Sequence, residues 1–309
     1  MRAVRFTEYG GTDVLQVVEV ETPSPGEGEV LVRVVVAGLN PGEAGIRSGA
    51  MQQMFPAVFP EGEGSDLAGV VEAVGPGVTG VAVGDAVLAV SDGRNAQAEF
   101  AVVPADRVVP KPDGLGWAVA GSLGVAGLTA VAMIAAVKPV AGETVVVTGA
   151  AGGVGTLATQ LAVRTGATVI AIASAAHHEQ LRVWGALPLA YGDDMADSIV
   201  ALAPDGVDGM LDTYGHGYVD LALGLGVPKD RIDTIIDFEA AERTGVAADG
   251  QATVEHPAAA LTELAGLLAT GDLEQPIKGR FPLDAVAEAY QQLEQRHGLG
   301  KMVLEVSQP

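Results

Sequence analysis

The chain contains no cysteine. That absence excludes disulfides, thiolate nucleophiles and every cysteine-ligated zinc or iron–sulfur centre. Basic residues are scarce as well: 17 Lys and Arg stand against 39 Asp and Glu, a formal charge of −22. So acidic a surface repels polyanions, which makes nucleic acid and anionic membranes unexpected partners and leaves solubility as the plain use of the charge. The histidines, at positions 177, 178, 216, 256 and 297, follow no ligand spacing such as HExxH, so no metal site is expected. The first residues, MRAVRFTEYGG, lack the apolar core of a secretory signal, and a cytoplasmic location is expected. One uncharged run, Ala118 to Val137, meets the length rule for a bilayer span. Its Gly and Ala content, with Gly121, Gly124 and Gly127 early in it, fits a buried helix of a soluble α/β protein better.

What is present is apolar material in two rhythms. Hydrophobic residues make up 49% of 309, enough for two domains with cores of their own. The first third reads as short Val-rich strands (RAVRF, LQVVEV, EVLVRVVVAGLN, DLAGVVEAVG, DAVLAV, AEFAVVPADRVV) parted by Gly, Pro and acidic residues, the pattern of a barrel or sandwich. From Glu143 the period changes: strands such as TVVVTG, ATVIAIAS and VDGMLDTYG alternate with helical stretches, which predicts a parallel sheet covered on both faces. The end carries two helices, PAAALTELAGLLATG and LDAVAEAYQQLEQRHG, with Gly271 and Gly298 as expected C-caps, and a last strand KMVLEV.

The segment TVVVTGAAGGVG, Thr144 to Gly155, sets a strand before a glycine knot and a helical stretch after it. Read against the dinucleotide fingerprint G-x-G-x-x-G, the three slots fall on Ala150, Gly152 and Gly155. The second glycine admits backbone to the pyrophosphate and the third lets helix and strand pack closely, while Ala in the first slot requires a negative φ there. An NAD site usually carries Asp or Glu about twenty residues on, bonded to the ribose 2′-hydroxyl. The strand TVIAIAS ends instead in Ser174, with His177, His178 and Arg182 following, a set that accepts a 2′-phosphate; NADP(H) is the expected cofactor. The blander alternative leaves both histidines on an exposed first helical turn.

Upstream, GEGSDLAGVVEAVGPGVTGVAVGDAV (62–87) places Gly64, Gly69, Val71, Val74, Gly75, Gly84 and Asp85 in the slots of a G-H-E-x-x-G-x-V-x-x-V-G … G-D-x-V signature. With AGLTA (126–130), GAAGGVG (149–155) and GKMVLEV (300–306) in order, the chain resembles the medium-chain dehydrogenase/reductase superfamily over its whole length. The slots that hold catalytic zinc in relatives carry Asn40, Ser65 and Val125 here, so the resemblance is to the zinc-free quinone oxidoreductase (zeta-crystallin-like) branch. It implies a GroES-like β domain from residues 1–120 and 256–309 and an inserted Rossmann domain, doubly wound, from 121–255. It implies hydride transfer from NADPH to a quinone or an α,β-unsaturated carbonyl, and a homodimer. By position it assigns Ala151, Gly152, Gly153, Val154 and Gly155 to the pyrophosphate, and Ser174, His177, His178 and Tyr191 to the 2′-phosphate and adenosine. Thr129 and the run Ile236, Asp237, Phe238 fall to the nicotinamide end, and Lys301 is expected to reach the cofactor from the return segment.

On the acceptor side the resemblance implies Asn40 and Glu43, with Tyr214 as a further candidate for catalysis. Gly45 stands where relatives carry Tyr or Lys. Glu43 reads equally as a surface residue of a turn, and Met51, Met54 and Phe55 as a pocket lid or as core. The segment LGVPKDRIDTIIDFEAAERTG departs from the family's link to the fifth Rossmann strand, so a shortened far half of the sheet is expected. Two other functions stay open: an enoyl reductase dedicated to one biosynthetic intermediate, and a cofactor-binding sensor or structural protein without turnover.

Overall fold

A computed structural model describes residues 1–295 and 297–309. The chain divides into two compact units, one of residues 1–125, 256–297 and 301–309, the other of residues 126–255 and 298–300. The division thus falls at Val125/Ala126, inside a helix, five residues beyond the boundary at 120/121 read from the sequence, and Gly298–Gly300 belong with the second unit.

The first unit opens with β1 (Arg2–Phe6), β2 (Gln16–Glu19), β3 (Glu29–Gly38), α1 (Pro41–Arg47), β4 (Glu61–Gly62), β5 (Asp66–Val74), β6 (Ala86–Val90), β7 (Phe100–Pro104), β8 (Val108–Pro110) and α2 (Trp117–Ala120). The uncharged run then breaks at Gly121–Leu123, and α3 (Gly124–Val137) follows as a helix of 14 residues. Among the described residues no helix is long and apolar enough to cross a membrane.

The second unit continues with β9 (Thr144–Thr148), α4 (Gly153–Arg164), β10 (Thr168–Ile172), α5 (His178–Val183), β11 (Leu187–Leu189), α6 (Met195–Leu202), β12 (Gly209–Asp212), α7 (Tyr218–Gly224), β13 (Ile232–Thr234) and α8 (Phe238–Thr244). The chain returns to the first unit through α9 (Pro257–Thr270), β14 (Ile277–Pro282), α10 (Val286–Glu294) and β15 (Lys301–Glu305). Gly271 ends α9 in the left-handed region, as its position suggests, but α10 stops at Glu294, so Gly298 is not its cap.

In the first unit the long strand β3 is central: it pairs β5, β7 and β15, and β5 leads on to β6 and β8. A three-stranded sheet, β2-β1-β4, completes the β architecture. The alternation of EVLVRVVVAG sends Val30, Val32 and Val34 into a core with Leu67, Val71, Leu304 and the apolar face of α10. That face, Val286, Ala289, Tyr290 and Leu293, keeps the i, i+3, i+4, i+7 spacing of a half-buried helix. Each aliphatic side chain so buried contributes about 1.5–3 kcal/mol.

The second unit is a five-stranded parallel sheet of order β11-β10-β9-β12-β13. Buried on both faces, its strands read as unbroken apolar runs, VVV at 145–147 and VIAI at 169–172. Beyond β13 the sheet is cut short: a sixth position survives only as a single parallel bridge between Asp233 and Ala247.

Candidate functional site

The glycine knot forms the turn its sequence implies, with one shift of roles. The left-handed residue is Gly149 (φ +60°), ahead of the fingerprint slots, while Ala150 keeps a negative φ. Thr213 closes over the turn, its hydroxyl donating to the Thr148 carbonyl at 2.6 Å. Gly155 has no room for a side chain: a Cβ there would lie 2.1 Å from the Gly149 carbonyl oxygen. Gly152 is the N-cap of α4 in extended conformation, with no side chain satisfying the helix. The first amides of α4, those of Gly153, Val154 and Gly155, have no acceptor within the helix, and the helix dipole puts its positive end there. A bare helix terminus behind a glycine turn, at the carboxyl end of a parallel strand, fits the diphosphate of a dinucleotide. Ala151 is buried within the turn, where its carbonyl accepts from the Gly300 amide at 2.8 Å.

The floor of this turn is Asp212, wholly buried, a residue that motif reading passed over. Its Oδ1 accepts from Thr148 Oγ1 (2.5 Å) and from the amides of Tyr214 (3.1 Å) and Gly215 (3.0 Å), and its Oδ2 from Thr234 Oγ1 (2.8 Å). One carboxylate thereby ties together the carboxyl ends of β9, β12 and β13. An acid closing the apolar strand GMLD was the available signal.

At the end of β10, Ser174 is exposed and His177 and His178 are half-buried in the turn before α5. His178 Nε2 lies 3.2 Å from the Ala173 carbonyl, so that histidine is oriented by backbone. Tyr191 follows β11 and joins Tyr214, Tyr218 and His216 around a pocket of about 620 Å³. The Tyr191 and Tyr214 rings are 5.1 Å apart and Tyr214 is 5.0 Å from the His216 ring. Burial drives the Tyr191 hydroxyl well above its ordinary value and that of Tyr218 up to about 12, so these phenols stay neutral. Tyr214 thus shares a wall of this pocket with Tyr191.

Thr129 is buried in α3. Ile236 and Phe238 are exposed, and Asp237 spends its carboxylate as the N-cap of α8, accepting from the Ala240 amide at 3.1 Å.

The first unit holds a second constellation. Asn40 caps α1, Pro41 follows at N1, and Glu43 completes a capping box by accepting from the Asn40 amide at 2.8 Å. Glu43 is thus buried and not a surface turn residue. It accepts as well from Asn40 Nδ2 (3.2 Å), the Ser65 amide (3.0 Å) and the Tyr290 hydroxyl (2.7 Å). Lys301 donates to the Leu39 carbonyl (2.9 Å), to Asn40 Oδ1 and towards Asp66 Oδ2 (3.4 Å). Its three N–H groups are thereby engaged within the first unit, and 4% of its surface is exposed. Asp66 accepts further from Asn40 Nδ2 (3.0 Å) and the Val125 amide (2.6 Å). Arg47 is also buried, bonded to Glu63 (3.0 Å), Glu294 (2.8 Å) and the Gly11 carbonyl, its guanidinium 4.5 Å from the Tyr290 ring centre. Sequence reading missed Arg47, Glu63, Asp66 and Tyr290; for Asp66 the signal was an acid opening the Val-rich strand DLAGVVEAV. At Gly45 a Cβ would meet Met51 Sδ at 2.9 Å, so Met51 fills that space, while Met54 and Phe55 are exposed rather than core.

Zinc does not fit the slots that hold it in relatives. The Asn40 amide is already bonded to Lys301, Asp66 and Glu43, an ammonium stands beside it, and Val125 has no donor side chain. Among the described residues no group of three or more His, Asp or Glu side chains is placed to hold a metal ion.

The comparisons with known proteins agree with this geometry. Residues 26–113 match the alcohol dehydrogenase GroES-like domain and residues 184–304 the zinc-binding dehydrogenase family. The quinone oxidoreductase of Mus musculus is 31% identical, over 98% of this chain and 97% of that protein. This chain belongs to the medium-chain dehydrogenase/reductase superfamily, in its quinone oxidoreductase branch. Among solved structures, the quinone oxidoreductase from Coxiella burnetii superposes with a TM-score of 0.87 at 28% identity, covering 99% of both chains. Mycobacterial Rv1454c complexed with NADPH superposes with a TM-score of 0.86 at 31% identity, again over 99% of both. The superfamily places the chain among oxidoreductases and accounts for the GroES-like strands and the parallel sheet together.

Proposed function

We propose that this protein is an NADPH-dependent oxidoreductase that reduces quinones or α,β-unsaturated carbonyls without a metal ion. The observation that carries the reading is the pairing of the Gly149–Gly155 turn with a β10 end that has no carboxylate. When bound, the nicotinamide ring supplies a hydride, and an already electron-poor conjugated acceptor takes it without Lewis-acid help. The chain's own part is binding and orientation. The amides of Gly153, Val154 and Gly155 hold the diphosphate, Ser174 and His177 receive the 2′-phosphate, and the Tyr191–Tyr214–His216 wall meets the flat adenine face. Asp212 holds the turn still, so that no reorganisation is needed on binding. Thr129 and the Ile236–Phe238 run belong to the nicotinamide end.

NADPH consumption with a panel of quinones and enones tests this. Turnover with several members, preferring NADPH over NADH, is the expected result, and binding without turnover of any member would overturn it. A second reading, a cofactor-binding protein without turnover, draws on the engagement of Asn40, Glu43 and Lys301 in buried hydrogen bonds, which leaves the first unit without a free acid among these candidates. That reading predicts tight NADPH binding and a silent panel.

A further inference from the structure

The buried cluster of the first unit does not balance its charges. Three carboxylates, Glu43, Glu63 and Asp66, lie buried with only two cations, Arg47 and Lys301. Lys301 faces Asp66, and Arg47 divides itself between Glu63 and the half-exposed Glu294. Glu43 has no cation of its own; its donors are amides and the Tyr290 hydroxyl. The charged and titratable groups from each packed element are therefore Glu43 and Arg47 on α1, Glu63 after β4, Asp66 on β5, Lys278 on β14 (of like charge to Lys301, which it opposes), Tyr290 and Glu294 on α10, and Lys301 on β15. An uncompensated buried carboxylate costs several kcal/mol, and proteins commonly avoid that cost by keeping a proton.

The hydrogen bonds say where such a proton sits. The Tyr290 hydroxyl donates to Glu43 at 2.7 Å, accepts from Gln97 Nε2 at 2.7 Å, and interacts with Glu63 as well. Gln97 is wholly buried, and its Oε1 has no hydrogen-bond partner among the described residues. Beside three carboxylates the cluster thus has an acceptor to spare and is one donor short, which a protonated carboxyl group supplies. We propose that Glu43 and Glu63 hold one proton in common, with the Tyr290 hydroxyl between them, and that this proton keeps Asn40 and the first turn of α1 packed against α10. The behaviour is that of a carboxylic pair too close to ionise twice, with a phenol as the bridge. Burial raises Glu43 and carries Glu63 up to about 8, in the same direction.

The sign follows from linkage. An acid whose folded value is raised stabilises the fold below its unfolded value and loses that contribution as pH climbs to the folded one. The unit should therefore lose stability between about pH 4.5 and 8, and no further from this source above that. This inference does not depend on the oxidoreductase reading and needs no cofactor to test. Infrared difference spectra between the wild-type protein and Glu63→Gln, and between wild type and Glu43→Gln, isolate protonated carboxyl groups at neutral pH; Asp233, the other raised acid, cancels in each difference. One carboxylic C=O band should vanish in either variant alone, because removing one negative charge balances the cluster. The melting temperature of wild type should fall across the same pH window, and Glu63→Gln should lose at least half of that slope. Tyr290→Phe should keep the band but shift its frequency, since the bridging hydrogen bond is gone. A band that survives both glutamine substitutions, or a wild-type pH slope retained in Glu63→Gln, would overturn the proposal; if Glu43→Gln does not fold, Glu63→Gln decides alone.

Discussion

In the second unit the polar work between Thr148 and Gly155 is done by main-chain groups held open by glycine, whereas in the first unit it is done by long side chains wrapped around one another. The glycine turn presents amides to a guest and keeps a single carboxylate, Asp212, beneath them as a fixed clamp. The first unit's cluster turns its donors and acceptors inward: Lys301 bonds to Asn40, Asn40 to Glu43, and Arg47 to Glu63. A site built from backbone is ruined by adding a methyl group, while a site built from paired charges is ruined by removing one. The two units should therefore fail under opposite kinds of substitution.

The largest effect on cofactor binding belongs to Gly155→Val. Its Cβ would meet main-chain oxygen at 2.1 Å, with no side chain able to move aside. NADPH titration should show affinity reduced by at least about 100-fold, roughly 3 kcal/mol, with a lowered melting temperature, and wild-type binding would break the contrast. Next is Lys301→Met, which leaves Asp66 buried beside amides alone. Denaturant unfolding should lose about 3–5 kcal/mol, the usual cost of orphaning one member of a buried pair. Asp212→Asn removes one acceptor from four hydrogen bonds and should cost about 1–3 kcal/mol, with weaker NADPH binding in the same titration.

A smaller effect sharpens the comparison from the other side. Asp233 is buried in β13, its Oδ2 lacks a partner, and burial pushes it up to about 7. Its raised value stabilises the fold at low pH, a contribution lost as pH rises from about 4 to 7. Asp233→Asn should therefore lessen the fall in melting temperature over that window and raise the value at pH 8 relative to the wild type. The smallest effect is expected at the half-exposed Arg243–Asp220 pair, 2.8 Å apart, where Arg243→Ala should change stability by less than about 1 kcal/mol.

The same contrast explains what could be read from the sequence. The turn was legible because strand, glycines and helix follow one another within a dozen residues, and each carries a local backbone requirement. The parallel sheet was legible for a similar reason, since its strands are continuous apolar runs. The role of Gly149 was not, because Ala150 occupies the expected slot and nothing local says which residue takes the positive φ. The first unit's cluster was out of reach altogether: Tyr290 and Glu43 are 247 residues apart, and Lys301 and Asn40 are 261 apart. Lys301 and Glu43 were thus picked out by position without their partners, because the sequence shows a charge without showing what it bonds to. The neighbour of the Tyr214 ring, Tyr191, was hidden in the same way.

On the function proposed above, a glycine turn with no acid at the end of β10 selects a phosphorylated dinucleotide. An equilibrium titration of the purified protein with NADPH and, separately, with NADH tests it most directly. The account predicts saturable binding of NADPH at least about tenfold tighter than NADH, or 1.4 kcal/mol, in line with a charged 2′-phosphate meeting Ser174 and His177. Absence of NADPH binding, or a preference for NADH, would contradict it.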